Sequence, residues 1–224
     1  MVETTSSPPG RRRSTARAEA KRADILDAAR TLLLQGYDRT STDAIAASAG
    51  VSKRTVYDYF GDKRSVYDAV VAAEGAAVLA AVQAAVDEEI VDDLPLEEAL
   101  TAFARRVLTG AVGSAHYAVL RRLSSAGPVD VLPVAPAALG EPEQILADRF
   151  AALAREGRLD APDPRRAADH FSALTLLLAL ESPDATTAPL LPAVEETLVE
   201  GVRAFLRAYP PVAEPGSTVA GPAR

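Results

Sequence analysis

Residues 41–63 read STDAIAASAGVSKRTVYDYFGDK, and this stretch decides the fold of the first part of the chain. Ser41 is a typical N-cap, and apolar residues follow it at the spacing of one buried helix face. Gly50 ends this short helix, because glycine accepts the backbone reversal that a tight turn needs. Ser52 then caps a second short helix. The stretch therefore predicts two short helices joined by a tight turn, the pattern of a helix-turn-helix.

The second short helix carries hydrogen-bond donors on its outer side. Val56 and Phe60 fall on the side that packs against the rest of the protein. The polar residues fall on the other side: Lys53, Arg54, Thr55, Tyr57 and Tyr59. Side chains of this kind read base edges when a helix lies in the major groove. The pattern predicts a DNA-binding helix.

Helical patterns continue on both sides of this stretch. A 3.6-residue period predicts a helix over about 17–34, which Gly36 ends, and Asp62 caps a long helix that begins at Lys63. Further helices are predicted near 96–110, 114–125, 142–156, 164–181 and 189–209, with a proline-rich loop near 127–136. Only 5% of the residues are aromatic, and no run of alternating β-branched residues predicts a strand. We therefore predict an all-α protein.

Composition excludes several classes of protein. The 224 residues include no Cys, so disulfide scaffolds, thiolate metal sites and cysteine nucleophiles are excluded. Neither His116 nor His170 has the acidic neighbour of a Glu-x-x-His metal helix, and no phosphate-binding glycine pattern is present. Gly50-Val51-Ser52 begins like a nucleophile elbow, but Arg54 replaces the glycine that the motif requires. We expect no enzyme activity, no cofactor and no metal.

The expected location is the cytoplasm. No uninterrupted apolar run reaches the roughly 18–20 residues that span a bilayer. The first residues, Met-Val-Glu-Thr-Thr, lack the basic and then apolar order of a signal peptide. We therefore expect a soluble protein with no membrane partner.

Charge is distributed unevenly along the chain. Residues 1–70 contain 12 basic and 9 acidic residues, whereas the remainder contains 12 basic and 22 acidic residues. A basic first part on an acidic second part fits a DNA-binding head on a body with another role. Residues 1–16 include Arg11-Arg12-Arg13 and show no apolar period, so we expect a disordered basic arm. It is either a solvated tail or an arm that enters the minor groove.

Residues 25–71 resemble the DNA-binding domain of the TetR/AcrR family of transcriptional regulators. The resemblance is carried by Ile25-Leu26-Asp27-Ala28-Ala29, Gly36-Tyr37, Thr40-Ser41, Ile45-Ala46, Ala49-Gly50-Val51-Ser52, Val56-Tyr57-Asp58-Tyr59-Phe60 and Lys63. It implies that Ser41, Thr42, Tyr57 and Lys63 contact phosphates and that Lys53, Arg54 and Thr55 read bases. The full implied DNA-binding set is Ser41, Thr42, Ser52, Lys53, Arg54, Thr55, Tyr57, Tyr59 and Lys63.

Two features depart from the family pattern. Position 54 is often small in relatives, but here Arg54 can pair with guanine O6 and N7. Asp43 and Asp58 are acidic near the expected DNA surface. Asp58 can orient Arg54, accept from a cytosine amino group, or face solvent, and we favour the ion pair or the solvent-facing position.

The last predicted helix carries a long apolar stripe. Its members recur at steps of three and four residues, and with the 164–181 helix they can form a four-helix interface between two copies. The resemblance implies the same homodimer, and the alternative is an ordinary internal core. The candidate interface residues are Phe171, Leu174, Leu178, Leu191, Val194, Leu198, Val202 and Phe205. A homodimer implies a palindromic operator.

The resemblance also implies a small, largely apolar effector in a pocket among the helices between about 63 and 160. The candidate lining residues are Phe103, His116, Tyr117, Leu120 and Phe150. Each can instead be an ordinary core residue, and His116 is either a polar anchor or a satisfied core histidine. The acidic runs near residues 87–98 are interpreted as solvated faces.

These observations predict four parts: a basic arm at 1–16, a helix-turn-helix domain at 17–68, a helical ligand-binding and dimerisation domain at 69–210, and a disordered tail at 211–224. The predicted function is a ligand-responsive repressor that binds a double-stranded DNA operator as a homodimer. The alternatives are a transcriptional activator, or a helical adaptor with no effector that has lost DNA binding.

Overall fold

The computed structural model describes residues 9–126, 142–182, 184–186 and 188–211. These residues form helices and connecting turns, and no strand occurs among them. The helices are α1 Pro9–Leu33, α2 Thr42–Ser48, α3 Lys53–Phe60, α4 Lys63–Glu89, α5 Leu96–Arg106, α6 Ala115–Ala126, α7 Pro142–Arg155, α8 Pro164–Ser172 and α9 Pro192–Ala208. Two π-helical segments, Val107–Val112 and Ala173–Leu177, continue α5 and α8. The all-α prediction is confirmed, whereas the predicted loop near 127–136 and most of the predicted tail lie outside the described residues.

The local signals at the helix ends act as the sequence predicts. The Ser41 hydroxyl accepts from the Ala44 amide at 3.1 Å, and Asp163 caps α8 through the Arg166 amide at 3.0 Å. Asp62 caps α4 by accepting from the Ser65 amide at 2.7 Å, and this hydrogen bond lowers the pKa of its carboxyl group. Each cap satisfies an amide that the first helical turn leaves without a partner, so the helices begin at fixed residues.

Helix α1 begins earlier than the sequence predicts. It starts at Pro9 rather than near Arg17, so residues 9–16 are helical and do not form the disordered arm that we expected. The prediction relied on apolar residues recurring every 3.6 positions, but a helix can extend beyond the residues that pack against the core without such a pattern. Residues 11–20 read RRRSTARAEA, in which alanine, arginine and glutamate favour helix through their intrinsic propensity.

The chain forms two compact units. The first comprises residues 1–75 and 119–138, and the second comprises residues 76–118 and 139–224. Within the first unit the Tyr67 hydroxyl donates to the Leu123 carbonyl at 3.1 Å, and Arg122 donates to the Leu34 carbonyl at 2.9 Å. The end of α6 therefore belongs with the N-terminal helices. The predicted division at residue 68 had placed it in the C-terminal domain.

The core of the first unit comes from the apolar faces of α1 to α4. Ile25 and Leu33 of α1, Ile45 of α2, Val56 of α3 and Val66 of α4 are all buried. Tyr37 and Tyr67 add an edge-to-face ring pair with centroids 5.5 Å apart. Because α2 and α3 each contribute few buried residues, their positions depend on this shared core and on their caps.

An aromatic cluster forms the core of the second unit. Phe103 of α5, Phe150 of α7, Phe171 of α8 and Phe205 of α9 are buried, and neighbouring ring centroids lie 5.2–5.9 Å apart. Such pairs contribute about 0.5–1.5 kcal/mol each beyond the burial of their area. The cluster joins four helices of this unit.

Helix α9 packs closely against the π-helical segment that follows α8. A side chain on Gly201 would clash with the Leu174 carbonyl oxygen, so only glycine allows this approach. This close packing occurs within one protomer.

One helix, α4, is long and apolar enough to cross a bilayer by length and composition alone. We had found no apolar run of roughly 18–20 residues in the sequence, but this helix reaches that length through alanine-rich segments on either side of Glu74. Residues in this window are 44% buried in the protein, and Val66, Val70 and Val78 lie in the core. The core helix of a globular protein has the same composition, so this observation is weak support for a membrane span.

Candidate nucleic-acid interface and ligand cavity

The turn between α2 and α3 is held by backbone hydrogen bonds. The Val51 amide donates to the Ala46 carbonyl at 3.0 Å, and the Gly50 amide donates to the Ala47 carbonyl at 3.3 Å. Gly50 has a φ of +65°, a left-handed conformation that disfavours residues with a Cβ. The Ser52 hydroxyl accepts from the Thr55 amide at 3.1 Å and fixes the start of α3. The predicted helix-turn-helix is confirmed.

Helix α3 presents long polar side chains to solvent. The Arg54 side chain is 90% exposed and Tyr57 is 45% exposed, whereas Val56 on the opposite side is buried. Lys53 is also exposed, and Thr55, Tyr59 and Phe60 are half-buried. An anchored helix with exposed donors along one side is the arrangement that major-groove binding requires.

Lys53 is joined to Asp43 across the two helices. Its Nζ donates to Oδ2 of Asp43 at 2.8 Å, and this hydrogen bond, together with the Asp43 charge, raises the pKa of Lys53. The ammonium group is therefore charged at neutral pH and restricted in position. Because Asp43 is itself exposed, it also places a negative charge next to the exposed polar side of α3.

Arg54 and Asp58 form a looser pair on the same helix. The distance from Nε to Oδ2 is 3.8 Å, which is too long for a hydrogen bond, and both side chains are exposed. A pair of this kind contributes little to stability. The favoured interpretation of Asp58 agrees with this geometry, and the Arg54 guanidinium can leave the pair to meet a base.

Ser52 and Thr55 bond to each other as well as to the backbone. Their hydroxyl oxygens lie 2.8 Å apart, so one hydroxyl donates to the other. One hydroxyl proton of the pair is left for an external acceptor. This geometry reduces the base-reading capacity expected of Thr55 and gives Ser52 mainly a capping role.

Lys63 is half-buried, and its ammonium group bonds to the first unit rather than extending freely into solvent. Its Nζ donates to the carbonyl oxygens of Tyr37 at 3.1 Å and Thr40 at 3.2 Å, and it lies 3.9 Å from the centroid of the Tyr37 ring. Thr40 directly precedes Ser41, the N-cap of α2. Lys63 therefore holds the turn that leads into α2, a role that the sequence analysis missed, and one N–H is left for a phosphate.

Two further polar residues and one basic residue lie at the start of α2, beside the exposed side of α3. Ser41 is exposed and Thr42 is half-buried at the start of α2. Arg39, which the sequence analysis did not select, is exposed two residues before Ser41 and has no ion-pair partner within the described residues. Its only signal in the sequence is its nearness to the α2 N-cap.

The structure gives the predicted dimer residues two different environments. Five of them are buried in the core of their own protomer: Phe171, Val194, Leu198, Val202 and Phe205. They cannot contact a second copy directly, so the internal-core alternative describes them. Leu178 and Leu191 are exposed, at 47% and 46%, and Leu174 is half-buried. Leu177, which we had not selected, is 60% exposed.

A cavity of about 170 Å³ lies in the second unit, among α4, α5, α6, α7 and the segment after α8. Of the candidate ligand-binding residues, Phe103 and Tyr117 line this cavity, and most of its other lining residues are aliphatic. Phe150, Leu120 and His116 are not among its lining residues, because Phe150 belongs to the aromatic cluster, Leu120 is buried in the first unit and His116 is exposed. Within the described part of the chain, no group of three acidic or histidine side chains is arranged to hold a metal ion.

Two family comparisons match the two parts of the chain. Residues 25–70 match the bacterial regulatory proteins of the tetR family. Residues 98–211, half of the chain, match the C-terminal domain of AefR-like transcriptional repressors. A comparison with curated proteins found no match.

Solved structures show the same fold. A protein from Mesorhizobium loti described as a TetR-family transcriptional regulator is 27% identical with a TM-score of 0.71, over 86% of this chain and 98% of that one. The flavonoid-responsive regulator FrrA is 26% identical with a TM-score of 0.57, over 87% and 100%. SmeT, the repressor of a Stenotrophomonas maltophilia multidrug efflux pump, is 23% identical with a TM-score of 0.53, over 91% and 97%, and it supports the fold alone.

Proposed function

Because the chain belongs to the TetR family of transcriptional regulators, we propose that this DNA-binding regulator is a ligand-responsive repressor. It binds a palindromic operator as a homodimer and leaves it when a small, largely apolar effector binds. It acts in the cytoplasm by binding rather than by catalysis. The match of the second part of the chain to the C-terminal domain of AefR-like repressors supports repression over activation.

The exposed face of α3 is the observation that carries DNA recognition. Arg54 has a guanidinium held by only one loose pair, and a guanine offers two acceptors in the major groove that match its fork. Tyr57 and the free N–H of Lys63 supply phosphate contacts beside it. Ser41 and Thr42 add hydroxyl groups where α2 begins. Base contacts then come from α3, and phosphate contacts set its register.

The proposed dimer face combines the exposed leucines after α8 with the outer side of α9. A shallow groove there is lined by Leu174, Leu178 and Ala204, and its charged lining residues are Glu200, Arg207 and Arg203, of which Arg203 is paired with Glu97. Glu200 and Arg207 lie two turns apart on α9, so an antiparallel two-fold crossing would pair Glu200 with Arg207 of the partner subunit. This self-complementary charge pattern supports a second copy as the occupant.

The dimer is tested with Leu178→Asp, because an aspartate in an apolar two-fold interface brings two charges together without a partner. We expect sedimentation velocity to give a dimer for the wild type and a monomer for this variant. Leu94→Asp is the control, since Leu94 is an exposed leucine outside this groove. A dimeric Leu178→Asp variant would show that another face forms the interface.

The cavity of the second unit supports the effector part of the proposal. An apolar ligand can release DNA only if it binds the DNA-incompetent state more tightly, and a coupling free energy of about 1–3 kcal/mol is typical. FrrA responds to flavonoids, so planar phenolic compounds are one class to screen.

The function is tested by a mobility-shift assay with the DNA upstream of the chain's own gene. We expect retardation that unlabelled specific DNA abolishes and unrelated DNA does not. If the protein is instead a helical adaptor that has lost DNA binding, neither DNA should be retarded at protein concentrations too low for non-specific binding.

A further inference from the structure

Among the described residues that line the cavity of the second unit, one, Glu143, has a carboxyl group. Of its fourteen lining residues, the polar ones are Tyr117, Glu143 and Ser172. Within the described part of the chain, none of these three side chains has a hydrogen-bond or ion-pair partner. Each polar group is therefore free to bind a ligand, and Glu143 supplies the one carboxylate among them.

Among the described residues, no cation lines this cavity. Its lining residues include no Lys, Arg or His. Residues 127–141, which directly precede α7, contain Asp130 and Glu141 but no basic residue. A carboxylate beside an apolar wall is costly to dehydrate without a positive partner, so a ligand that fills the cavity must supply that partner or weaken its own binding.

The aromatic residues of the lining also favour a positively charged ligand. Phe103 and Tyr117 both line the cavity, and an aromatic face attracts a cation within about 6 Å. An anionic ligand would meet the Glu143 carboxylate unfavourably. A neutral ligand would leave that carboxylate without a positive partner.

We infer that this cavity binds a small hydrophobic cation, with its apolar body among the aliphatic residues and its positive group at Glu143. The inference rests on the proposed ligand-responsive function and specifies the class of effector. The volume of about 170 Å³ limits the apolar body in the present conformation, since an engineered cavity of about 150 Å³ in another protein holds one benzene ring. A single ring with a compact ammonium group fits both the size and the charge.

The test uses phenyltrimethylammonium and its neutral isostere tert-butylbenzene, which differ in charge but not in shape. Titration calorimetry with the full chain should show the cation binding about tenfold more tightly than the isostere. Glu143→Gln should remove most of that advantage and leave binding of the isostere unchanged. Glu98→Gln is the matched control, because Glu98 also lies in the first turn of a helix but does not line the cavity.

The outcomes separate this inference from the proposed function. Equal binding of both probes, or a cation affinity that Glu143→Gln leaves unchanged, would overturn the inference. If only neutral compounds bind and release DNA, the ligand-responsive function stands and the cation assignment fails. If the cation binds through Glu143 but DNA affinity, measured by fluorescence anisotropy, does not change, the binding site is supported and the regulatory role is refuted.

Discussion

Lys63 gives a sharp test of whether its main role is structural. We consider Lys63→Met, which keeps an unbranched apolar stem and removes the ammonium group. The change deletes the hydrogen bonds to the carbonyl oxygens of Tyr37 and Thr40 and the contact with the Tyr37 ring.

The magnitude follows from these contacts. A hydrogen bond made by a charged group contributes about 1.5–3 kcal/mol net, and these two bonds are long and only part-buried, so we assign about 1 kcal/mol to each. An exposed cation–π contact adds about 0.5 kcal/mol. The free energy of unfolding of the first unit should therefore fall by roughly 2–3 kcal/mol, a large share of the usual 5–15 kcal/mol.

The assay is urea unfolding followed by tyrosine fluorescence, without DNA. The chain has no Trp, and four of its six tyrosines, Tyr37, Tyr57, Tyr59 and Tyr67, lie in the first unit. The signal therefore reports mainly on that unit, and a lower midpoint at an unchanged slope indicates lost stability. Lys53→Met is the control, because Lys53 is exposed and should leave the midpoint near that of the wild type. A Lys63→Met midpoint equal to the wild-type value, with DNA binding lost, would refute the structural role and leave only a phosphate contact.

Three further changes test separate contacts. Arg54→Ala should weaken binding by about 1–3 kcal/mol at one base pair only, as measured by anisotropy on single-substitution operators, and a uniform loss at all positions would contradict base reading. Asp43→Asn should tighten binding to every DNA sequence, because it frees Lys53 for a phosphate contact. The slope of log K against log salt concentration should become steeper by about one unit, and an unchanged slope would count against this role of Lys53. Glu195 accepts a hydrogen bond from Arg105, and this bond lowers the pKa of Glu195. The pair therefore stabilises the folded state at pH values above the ordinary glutamate pKa. Its contribution is lost as the pH falls through the lowered pKa. Glu195→Gln should therefore reduce the urea midpoint at pH 7 and have less effect near pH 3, whereas an equal reduction at both pH values would argue against the pair.

The sequence predicts the helix-turn-helix well because its signals are local. Ser41, Ser52 and Asp62 act as caps, and Gly50 adopts the positive φ that its turn needs. Each signal depends on a few neighbouring residues, so the boundaries of α2, α3 and the start of α4 follow without knowledge of the tertiary fold.

The long-range features are less predictable. A 3.6-residue apolar stripe shows that one face of α9 is buried, but it does not show whether the covering surface belongs to the same chain. Val202 and Phe205 are covered by their own protomer, so the stripe was mainly a core face. The bond from Lys63 to Tyr37 spans 26 residues and depends on how α4 meets the turn before α2, which no periodicity encodes.

The ligand cavity shows the same limit. Phe103 and Phe150 are both buried aromatic residues, but only Phe103 lines the cavity. Glu143 follows a proline at the start of a predicted helix, where an acidic residue is ordinary because it complements the helix dipole. Its position in an apolar wall becomes visible only when the helices pack.

Selection from random duplex DNA, with the full chain as bait, tests the central claim most directly. The account predicts enrichment of an inverted repeat whose half-sites are about 10–10.5 base pairs apart or a multiple of that spacing, because a homodimer inserts two copies of α3 into the major groove. Enriched fragments without two-fold symmetry would contradict the homodimer, and a pool that stays random after selection would contradict sequence-specific DNA binding itself.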